Sequence, residues 1–303
     1  MSVLYRIVRK GVLAVSRLRQ RRLVQSVNAS RCNPAAKHYV DDVRVSIILQ
    51  FFNKRANIGD LHQTMRDSLA EEVIVCDDGS VDGSYGDWLA LLTRPNDFLV
   101  RTNDIFEVRT YERCMGMARG EFVVLLQDDD VAADRTGRWL SQAIEIMNSD
   151  PTIVVLGGRT GSDLEKTDAG GFTTVESAAT SRQLGYRYVA AVNRAPWIIR
   201  ASSFRQLGGI DQSFAPFQHD DLELCLRAWQ RGMRVAHYEA GFVRDVGTGG
   251  MRLFNDHGGD YEKDWKWRKA VRNWEEVQER YAGAVDRICE LVDEANATLG
   301  GKG

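Results

Sequence analysis

Three consecutive carboxylates in the stretch "LLQDDDVAAD" are the side chains of this sequence best suited to chemistry. Asp128, Asp129 and Asp130 directly follow the apolar run "EFVVLL", which is typical of a strand buried on both faces. Adjacent carboxylates repel one another and raise one another's pKa unless a cation offsets their charge. A hard divalent ion, Mg²⁺ or Mn²⁺, takes oxygen ligands of this kind together with phosphates. The alternative is an acidic first turn that complements a helix dipole.

A second acidic cluster lies in "CDDGSVDGS", where Asp77 and Asp78 end another buried strand before a turn through Gly79 and Ser80. Two carboxylates beside a small-residue turn suit the recognition of polar donors, such as a base N–H or ribose hydroxyls. A strand–turn–helix capped by Asp and Ser has the same appearance. Neither G-x-x-x-x-G-K-[ST] nor G-x-G-x-x-G is present, so the turn is not a phosphate loop of either type.

The third cluster, "QHDDLELCLR", places Asp220 and Asp221 at the start of a predicted helix. The helix dipole favours the ionised form of acids at that position. An ionised carboxylate at the mouth of a cleft can take a proton from an attacking hydroxyl group. A solvated pair of capping acids fits the same pattern, and Glu223 and Arg227 are spaced to pair along the helix.

From residue 43 onward, strand-like and helix-like segments alternate, which predicts an α/β fold with a mainly parallel sheet covered by helices. Ligands of such sheets bind beyond the carboxyl ends of the strands, so the acidic clusters are expected to share one cleft. The Gly/Ser/Thr-rich stretch 157–185 is predicted to be a long surface loop beside this site. The tail from about residue 264 is predicted to be helical. The predicted divisions are 1–40, 41–253 and a C-terminal helical extension, 254–303.

The composition is that of an ordinary globular protein, with 303 residues, 44% hydrophobic and 27% charged. Residues 1–40 hold nine Lys or Arg and no acid, which leaves 31 basic against 42 acidic groups in the remainder. A body with that acidic excess excludes nucleic acid as the expected partner. The five cysteines are scattered and form no C-x-x-C pair, which favours a reducing, cytoplasmic compartment.

The basic N-terminal segment permits three interpretations. Apolar residues recur at helical spacing within residues 1–26, with arginines between them. Such an amphipathic helix can lie peripherally on an anionic membrane surface. An Arg-rich, acid-free targeting peptide has the same composition. The third interpretation is a helix packed on the body with a basic solvated face. No apolar run of 18 residues is present, so a spanning helix is not expected.

Five segments, taken in order, resemble the family-2 inverting glycosyltransferases of GT-A fold, over about residues 43–250. They are "VSIILQFFN", "EEVIVCDDGSVDGS", "ARGEFVVLLQDDD", "FRQLGGIDQSF" and "HDDLELCLRAWQRG". The resemblance implies a Rossmann-like GT-A sheet, with the N-terminal amphipathic helix and the C-terminal extension added to it. It also implies metal-dependent transfer of a sugar from a nucleotide-sugar, here expected to be a UDP-sugar. The implied acceptor is a hydroxyl group of a glycan or a lipid-linked molecule, and the implied cofactor is Mn²⁺ or Mg²⁺.

The resemblance also implies roles for individual residues. Asp221 matches the general base of the family's E-D pair, and Asp220 replaces its Glu. The implied donor nucleotide site comprises Asp77, Asp78, Gly79, Ser80, Phe51, Asn53 and Arg55. The implied acceptor side comprises Gly208, Gly209 and Asp211, and Trp197 is predicted to shape the pocket on that side. The implied metal ligands are Asp128, Asp129, Asp130 and Asp245.

The sequence departs from the family pattern at the acidic strand end, where Gln127 stands in place of the first Asp of L-D-x-D-D. The choice of metal ligands among the three aspartates therefore stays open. No Q-x-x-R-W motif is present, which favours addition of one sugar per encounter. Two alternatives remain, a nucleotidyltransferase that acts on sugar phosphates and a non-catalytic module that binds sugar nucleotides.

Overall fold

The computed structural model describes residues 42–178, 185–194, 196–244 and 265–300. The N-terminal segment with its three interpretations, and the predicted metal ligand Asp245, lie outside these ranges. Within them, no helix combines the length and apolar character needed to cross a bilayer.

The central sheet has eight strands in the order β3-β2-β1-β4-β11-β6-β12-β9. A three-stranded sheet, β10-β7-β8, and a two-stranded pair, β13-β5, lie beside it. The strands are β1 (Val45–Phe51), β2 (Glu72–Asp77), β3 (Asp97–Arg101), β4 (Phe122–Gln127), β5 (Asp130–Ala132), β6 (Ile153–Gly157), β7 (Gly161–Lys166), β8 (Phe172–Glu176), β9 (Tyr186–Tyr188), β10 (Ala191–Val192), β11 (Trp197–Arg200), β12 (Arg234–Tyr238) and β13 (Phe242–Arg244).

Helices connect most of these strands, as the alternating pattern predicts. They are α1 (Ile58–Asp67), α2 (Ser84–Leu91), α3 (Phe106–Met115), α4 (Arg138–Ser149), α5 (Ala201–Leu207), α6 (Asp220–Gln230), α7 (Trp265–Tyr281) and α8 (Val285–Gly300). β3, β2, β1 and β4 pair in parallel, whereas β11 runs antiparallel between β4 and β6. The predicted α/β fold with a mainly parallel sheet is confirmed.

The carboxyl ends of β2, β1 and β4 meet at one edge of the sheet. All seven residues of β1 are buried, because a strand in the middle of a covered parallel sheet has no solvent face. In the strand register, Phe51 lies beside Asp77, and Gln50 lies beside Gln127. The acids that follow β2 and β4 are therefore separated by two strand spacings, about 10 Å.

The predicted long loop over 157–185 is wrong for its central part. β7 and β8 form an antiparallel hairpin there, with Leu164 and Phe172 buried. The C-terminal helices cover them: Gln278 exchanges two hydrogen bonds with the backbone of Phe172, at 2.9 and 3.0 Å. A Gly/Ser/Thr-rich sequence forms strands here because apolar cover comes from about 100 residues away, where Trp274 packs against Phe172 with ring centroids 5.7 Å apart.

The C-terminal helix α7 also holds the loop that leads into α6. The Asn273 side-chain amide donates hydrogen bonds to the carbonyl groups of Phe214, Phe217 and Gln218, at 2.7, 2.8 and 3.1 Å. Asn273 is itself buried. The position of the first residues of α6 therefore depends on a helix that follows them in sequence by more than 40 residues.

Candidate active site

The loop after β1 joins the two acidic clusters of the sheet edge. The backbone N–H of Phe52 donates to Asp128 Oδ2 at 2.8 Å, and the N–H of Asn53 donates to Ser80 Oγ at 2.9 Å. The Asn53 side chain in turn accepts from the N–H of Val81 at 2.8 Å. Asn53 has a φ of 51°, an uncommon conformation for a non-glycine residue. These bonds fix the turn that contains Ser80 relative to Asp128.

Two basic side chains face the three consecutive aspartates. Lys54 Nζ lies 2.9 Å from Asp128 Oδ1 and 3.0 Å from Asp129 Oδ2. Arg159 Nη1 lies 3.4 Å from Asp130 Oδ1. Nothing in the local sequence indicates either partner, since Lys54 precedes the acids by more than 70 residues and Arg159 follows them by about 30. The fold therefore supplies much of the positive charge that three adjacent carboxylates require.

The Lys54 contact keeps a buried cation between two buried carboxylates. Lys54, Asp128 and Asp129 are 8%, 7% and 6% exposed. Burial raises the pKa of Asp128, and Lys54 opposes that rise. Burial alone lowers the pKa of Lys54, but Asp128 and Asp129 outweigh it and leave this pKa above its usual value. The ammonium therefore stays charged.

The oxygen atoms of Asp128 and Asp129 fit a divalent cation in their chemistry. Within the described ranges, no three His, Cys, Asp or Glu side chains are grouped as a metal site. One or two carboxylates plus substrate phosphates nevertheless suffice for Mg²⁺. Asp128 and Asp129 already converge on one cation, the Lys54 ammonium. The pair therefore suits a divalent ion, and Lys54 occupies the position between them.

Asp77 and Asp78 differ sharply in how their oxygen atoms are used. Asp78 Oδ1 accepts from Thr102 Oγ1 at 2.6 Å and from the N–H of Ile105 at 2.8 Å, while Oδ2 accepts from the N–H of Phe106 at 2.8 Å. Asp77 Oδ1 accepts from the N–H of Ser80 at 2.7 Å. Asp77 Oδ2 is buried and has no hydrogen-bond partner in the part of the chain that the structure describes.

Gly79 allows this turn to form. Its φ is 90°, in the left-handed region that favours glycine. A Cβ atom at this position would lie 3.3 Å from the backbone nitrogen of Asp104. Because residue 79 has no Cβ atom, the turn 77–80 can pack against the loop 102–106, which Asp78 holds by hydrogen bonds.

Three of the predicted binding residues contact the core or an ion-pair partner in this structure. Phe51 is fully buried and packs edge-on against Trp88, with ring centroids 5.5 Å apart. Trp197 is also fully buried, and its Nε1–H donates to the carbonyl of Val192 at 3.0 Å. Both side chains belong to the core, so neither presents a surface to a ligand in this structure. Arg55 is half exposed and is paired with Asp87 at 2.6 Å.

The two aspartates at the start of α6 have opposite environments. Asp220 is 1% exposed, whereas Asp221 is partly exposed and one of its oxygens accepts from the N–H of Leu222 at 2.9 Å. The chain enters this helix through Gln218 and His219, whose φ angles of 72° and 65° are positive. Such strained backbone persists where the surrounding structure imposes it. α6 precedes the parallel strand β12, so it begins at the carboxyl edge of the sheet.

Arg194 is the buried partner of Asp220, and the sequence contains no signal for it. Its guanidinium donates to Asp220 and lies over the rings of Tyr111, at 5.2 Å, and Trp197, at 5.7 Å. Burial raises the pKa of Asp220 to about 6, although Arg194 opposes the rise. Burial raises the pKa of Tyr111, while Arg194 lowers it and Asp128 raises it. Tyr111 is thus within electrostatic range of both Arg194 and the acidic strand end.

The predicted acceptor turn adjoins a cavity of about 500 Å³ lined by residues of α3, α6 and α7. Gly209 has a φ of 77°, and a Cβ atom there would lie 2.7 Å from Glu112 Oε1. Glu112 Oε2 accepts from the N–H of Ile210 at 2.9 Å. Asp211 is paired with Arg280 at 2.6 Å. The Asp211 carboxylate therefore holds the turn against the C-terminal helix.

Comparison with known proteins identifies the family of this chain. The profile of the family described as "Glycosyl transferase family 2" matches residues 46–198, half of the chain. That range includes β1, both strand-end acidic clusters and Arg194. No curated protein sequence matches this chain.

Two solved structures are similar in fold. GalNAc-T7, solved with UDP, GalNAc and Mn²⁺, has a TM-score of 0.57 at 14% identity over 84% of this chain and 55% of its own. This chain therefore spans about half the length of that protein. The mannosyltransferase PcManGT from Pyrobaculum calidifontis, in complex with GDP-Man and Mn²⁺, has a TM-score of 0.51 at 16% identity, over 93% of this chain and 83% of its own. Both similarities concern the fold, and they agree with the predicted GT-A architecture.

Proposed function

The chain belongs to glycosyl transferase family 2, and from this premise we propose that it transfers a sugar from a UDP-sugar to a hydroxyl group of a glycan or lipid-linked acceptor, with inversion. The supporting observation is the placement of an accessible carboxylate, Asp221, at the sheet edge that carries the two other acidic clusters. Tyr111 interacts electrostatically with Arg194, which pairs with Asp220, and with Asp128 of the strand end. A donor and an acceptor bound at this edge would both lie within reach of ionised groups.

On the donor side, we assign the nucleoside contact to Asp77. Its Oδ2 is a buried acceptor without a partner in the described ranges, and such atoms are costly unless a ligand satisfies them. The N–H of a pyrimidine base supplies that hydrogen bond. Asp78 instead organises the loop 102–106 around the nucleotide. Gly79 and Ser80 form the turn that follows these two aspartates.

A divalent ion, Mn²⁺ or Mg²⁺, would be held by Asp129 together with Asp128 or Asp130. When bound, it supplies positive charge to a leaving diphosphate, which lowers the barrier most as negative charge develops. Asp128 Oδ2 is already engaged by the N–H of Phe52, so Asp128 would contribute Oδ1. Binding of the nucleoside and removal of the acceptor proton are assigned to the chain's own residues.

On the acceptor side, Asp221 is the general base. It accepts the proton of the acceptor hydroxyl as that oxygen attacks the anomeric carbon, opposite the leaving diphosphate. Direct displacement of this kind inverts the configuration. The buried Arg194–Asp220 pair holds the first turn of α6 and so fixes where the Asp221 carboxylate points. A partly exposed carboxylate suits this role because the acceptor must reach it.

The different use of the two turn aspartates leads to a paired prediction. Asp77→Asn is expected to keep the fold, because the amide retains an acceptor for the N–H of Ser80, and to weaken UDP binding by roughly tenfold or more. Asp78→Asn is expected to lower the free energy of unfolding by about 1–3 kcal/mol, because it removes charge from three hydrogen bonds. Isothermal titration with UDP and urea denaturation separate the two effects. If Asp77→Asn and Asp78→Asn lost UDP affinity equally and neither was destabilised, the assignment of the nucleoside contact to Asp77 would be contradicted.

The reaction itself is tested by identifying its products. With a UDP-sugar, an acceptor and Mn²⁺, we expect release of UDP and formation of a glycosidic bond of inverted configuration, detected by NMR at the anomeric proton. Release of pyrophosphate would indicate a nucleotidyltransferase. Binding of a UDP-sugar without hydrolysis or transfer over hours would indicate a binding module.

Chelation provides a separate prediction. Treatment with EDTA is expected to stop transfer, since the leaving diphosphate then loses the charge that stabilises it. Restoring Mn²⁺ in excess over EDTA is expected to recover the rate. Full transfer after the protein has been dialysed against EDTA would show that the chain's own cations suffice.

A further inference from the structure

We propose that Lys54 is a built-in competitor of the divalent ion, held by Asp128 and Asp129 in the absence of donor and transferred to the donor diphosphate when the ion enters. This inference rests on the proposed function, which supplies both the ion and the diphosphate. It gives Lys54 a positioning role that neither the family match nor the sequence pattern indicates.

The geometry requires competition. A single ammonium lies 2.9 Å from Asp128 Oδ1 and 3.0 Å from Asp129 Oδ2, and both carboxylates are more than 90% buried. The other oxygen of Asp128 accepts from the N–H of Phe52. Each oxygen of Asp128 thus has a donor already, Phe52 on Oδ2 and Lys54 on Oδ1, and of these two donors only the Lys54 ammonium carries a charge that opposes a divalent ion.

Electrostatics makes the competition strong. An ammonium and a divalent ion a few ångströms apart in a buried site repel each other by several times the thermal energy, because the surroundings screen charge poorly. A divalent ion that binds this pair must therefore displace the Lys54 ammonium. By the same repulsion, Lys54 lowers the affinity of Asp128 and Asp129 for the ion.

Displacement is confined to the side chain of Lys54. Hydrogen bonds hold the chain on both sides of Lys54. Before it, Asn53 bonds to Ser80 and Val81; after it, the Asn57 side chain donates to the carbonyl of Asp128 at 2.9 Å. Lysine carries its charge on a flexible four-carbon chain, so the ammonium can move while the loop does not. A displaced ammonium needs another anion, and the diphosphate of the donor is bound at the same edge.

Cooperative binding follows from this exchange. A diphosphate that accepts Lys54 makes the aspartates available to the ion, and the ion in turn releases Lys54 to the diphosphate. Linkage requires that each ligand raises the affinity for the other by the same factor, which commonly lies between about 5- and 150-fold. Without Lys54, the coupling between ion and diphosphate should shrink.

The test measures Mn²⁺ binding to the full chain by EPR of the free ion, with and without UDP, at one fixed pH. Lys54→Met removes the charge, Lys54→Gln keeps N–H donors without charge, and Lys54→Arg keeps the charge. Lys166→Met is the matched control, because Lys166 pairs with Asp286 on the surface at 2.5 Å. Without UDP, Lys54→Met and Lys54→Gln are expected to tighten Mn²⁺ binding at least fivefold, roughly the lower end of the coupling range. The Lys54→Arg variant and the control are expected to match the wild type.

Stability gives an independent measurement. Loss of Lys54 leaves two buried carboxylates without their cation, so Mn²⁺ is expected to raise the Tm of Lys54→Met more than that of the wild type. UDP is expected to tighten Mn²⁺ binding to the wild type at least fivefold, and to tighten it by a smaller factor in Lys54→Met, where only the direct attraction between diphosphate and ion remains.

The outcomes distinguish this inference from the proposed function. If neutral variants at Lys54 bind Mn²⁺ no more tightly than the wild type, while UDP still promotes Mn²⁺ binding, the competition is refuted and the proposed function stands. If they bind Mn²⁺ more tightly but the wild type transfers no sugar, the competition stands and the proposed function fails. If no form binds Mn²⁺ even with UDP, Lys54 competes with no ion and the inference is overturned.

Discussion

Asp221→Asn is expected to lower the rate of sugar transfer by about 10²–10⁴-fold, the range in which general-base catalysis contributes. The amide has nearly the shape of the carboxylate but cannot accept the acceptor's proton. Because Asp221 is partly exposed and is not the partner of Arg194, the substitution should leave the first turn of α6 intact. UDP affinity is therefore expected to stay at the wild-type value.

Single-turnover transfer and isothermal titration with UDP measure these two quantities. The matched control is Asp286→Asn, which changes the same side chain at an exposed position on α8. An Asp221→Asn protein that turns over at the wild-type rate would remove Asp221 from the role of base. A variant that loses UDP affinity as well as turnover would place Asp221 on the donor side.

Breaking the Arg194–Asp220 pair is expected to destabilise the protein strongly. Both side chains are buried, at 5% and 1% exposure, so removing either one leaves the other without its ion-pair partner. Arg194→Met and Asp220→Asn are each expected to cost about 3–5 kcal/mol in the free energy of unfolding. The double variant is expected to cost less than the sum of the two, because it leaves no unpaired charge. Urea denaturation of the wild type, the two single variants and the double variant gives the coupling free energy between the two side chains.

The pH dependence of Arg194→Met provides a further check. Burial raises the pKa of Asp220 to about 6 even with Arg194 present, and its usual value is near 4. A carboxyl group with a raised folded-state pKa contributes stability that is present below about pH 4 and is lost as the pH rises through the folded-state value. Arg194→Met should therefore be less destabilised at about pH 5 than at about pH 8, relative to the double variant. If the difference in unfolding free energy between Arg194→Met and the double variant did not change with pH, Asp220 would not be the group that Arg194→Met leaves unpaired.

The different surroundings of adjacent aspartates could not be recognised from the sequence. "HDDLELC" shows two acids at a helix start, but one is buried against Arg194 and the other faces solvent. The same holds in "CDDGS", where Asp78 bonds its own loop and Asp77 keeps an oxygen without a partner in the described ranges. In both places the environment is decided by residues far away in the chain.

Errors in the sequence interpretation have the same origin. Phe51 and Trp197 are predicted to belong to the donor and acceptor sides, but their side chains lie in the core. The stretch 157–185 is predicted to be a loop because it is rich in Gly, Ser and Thr, yet residues 161–176 within it hold two strands. Its two strands form because Gln278 and the C-terminal helices supply their partners.

The amino-acid sequence by itself determined the α/β class, the buried parallel strands and the placement of two acidic clusters at strand ends. These features follow from local patterns, since an apolar run of strand length and the acids that end it are neighbours in the chain. Only the tertiary structure decided that Lys54 lies between Asp128 and Asp129, and that Arg194 is the partner of Asp220. The physical reason is that Coulomb attraction and burial depend on distance in space, and the fold brings together charges that lie far apart along the chain.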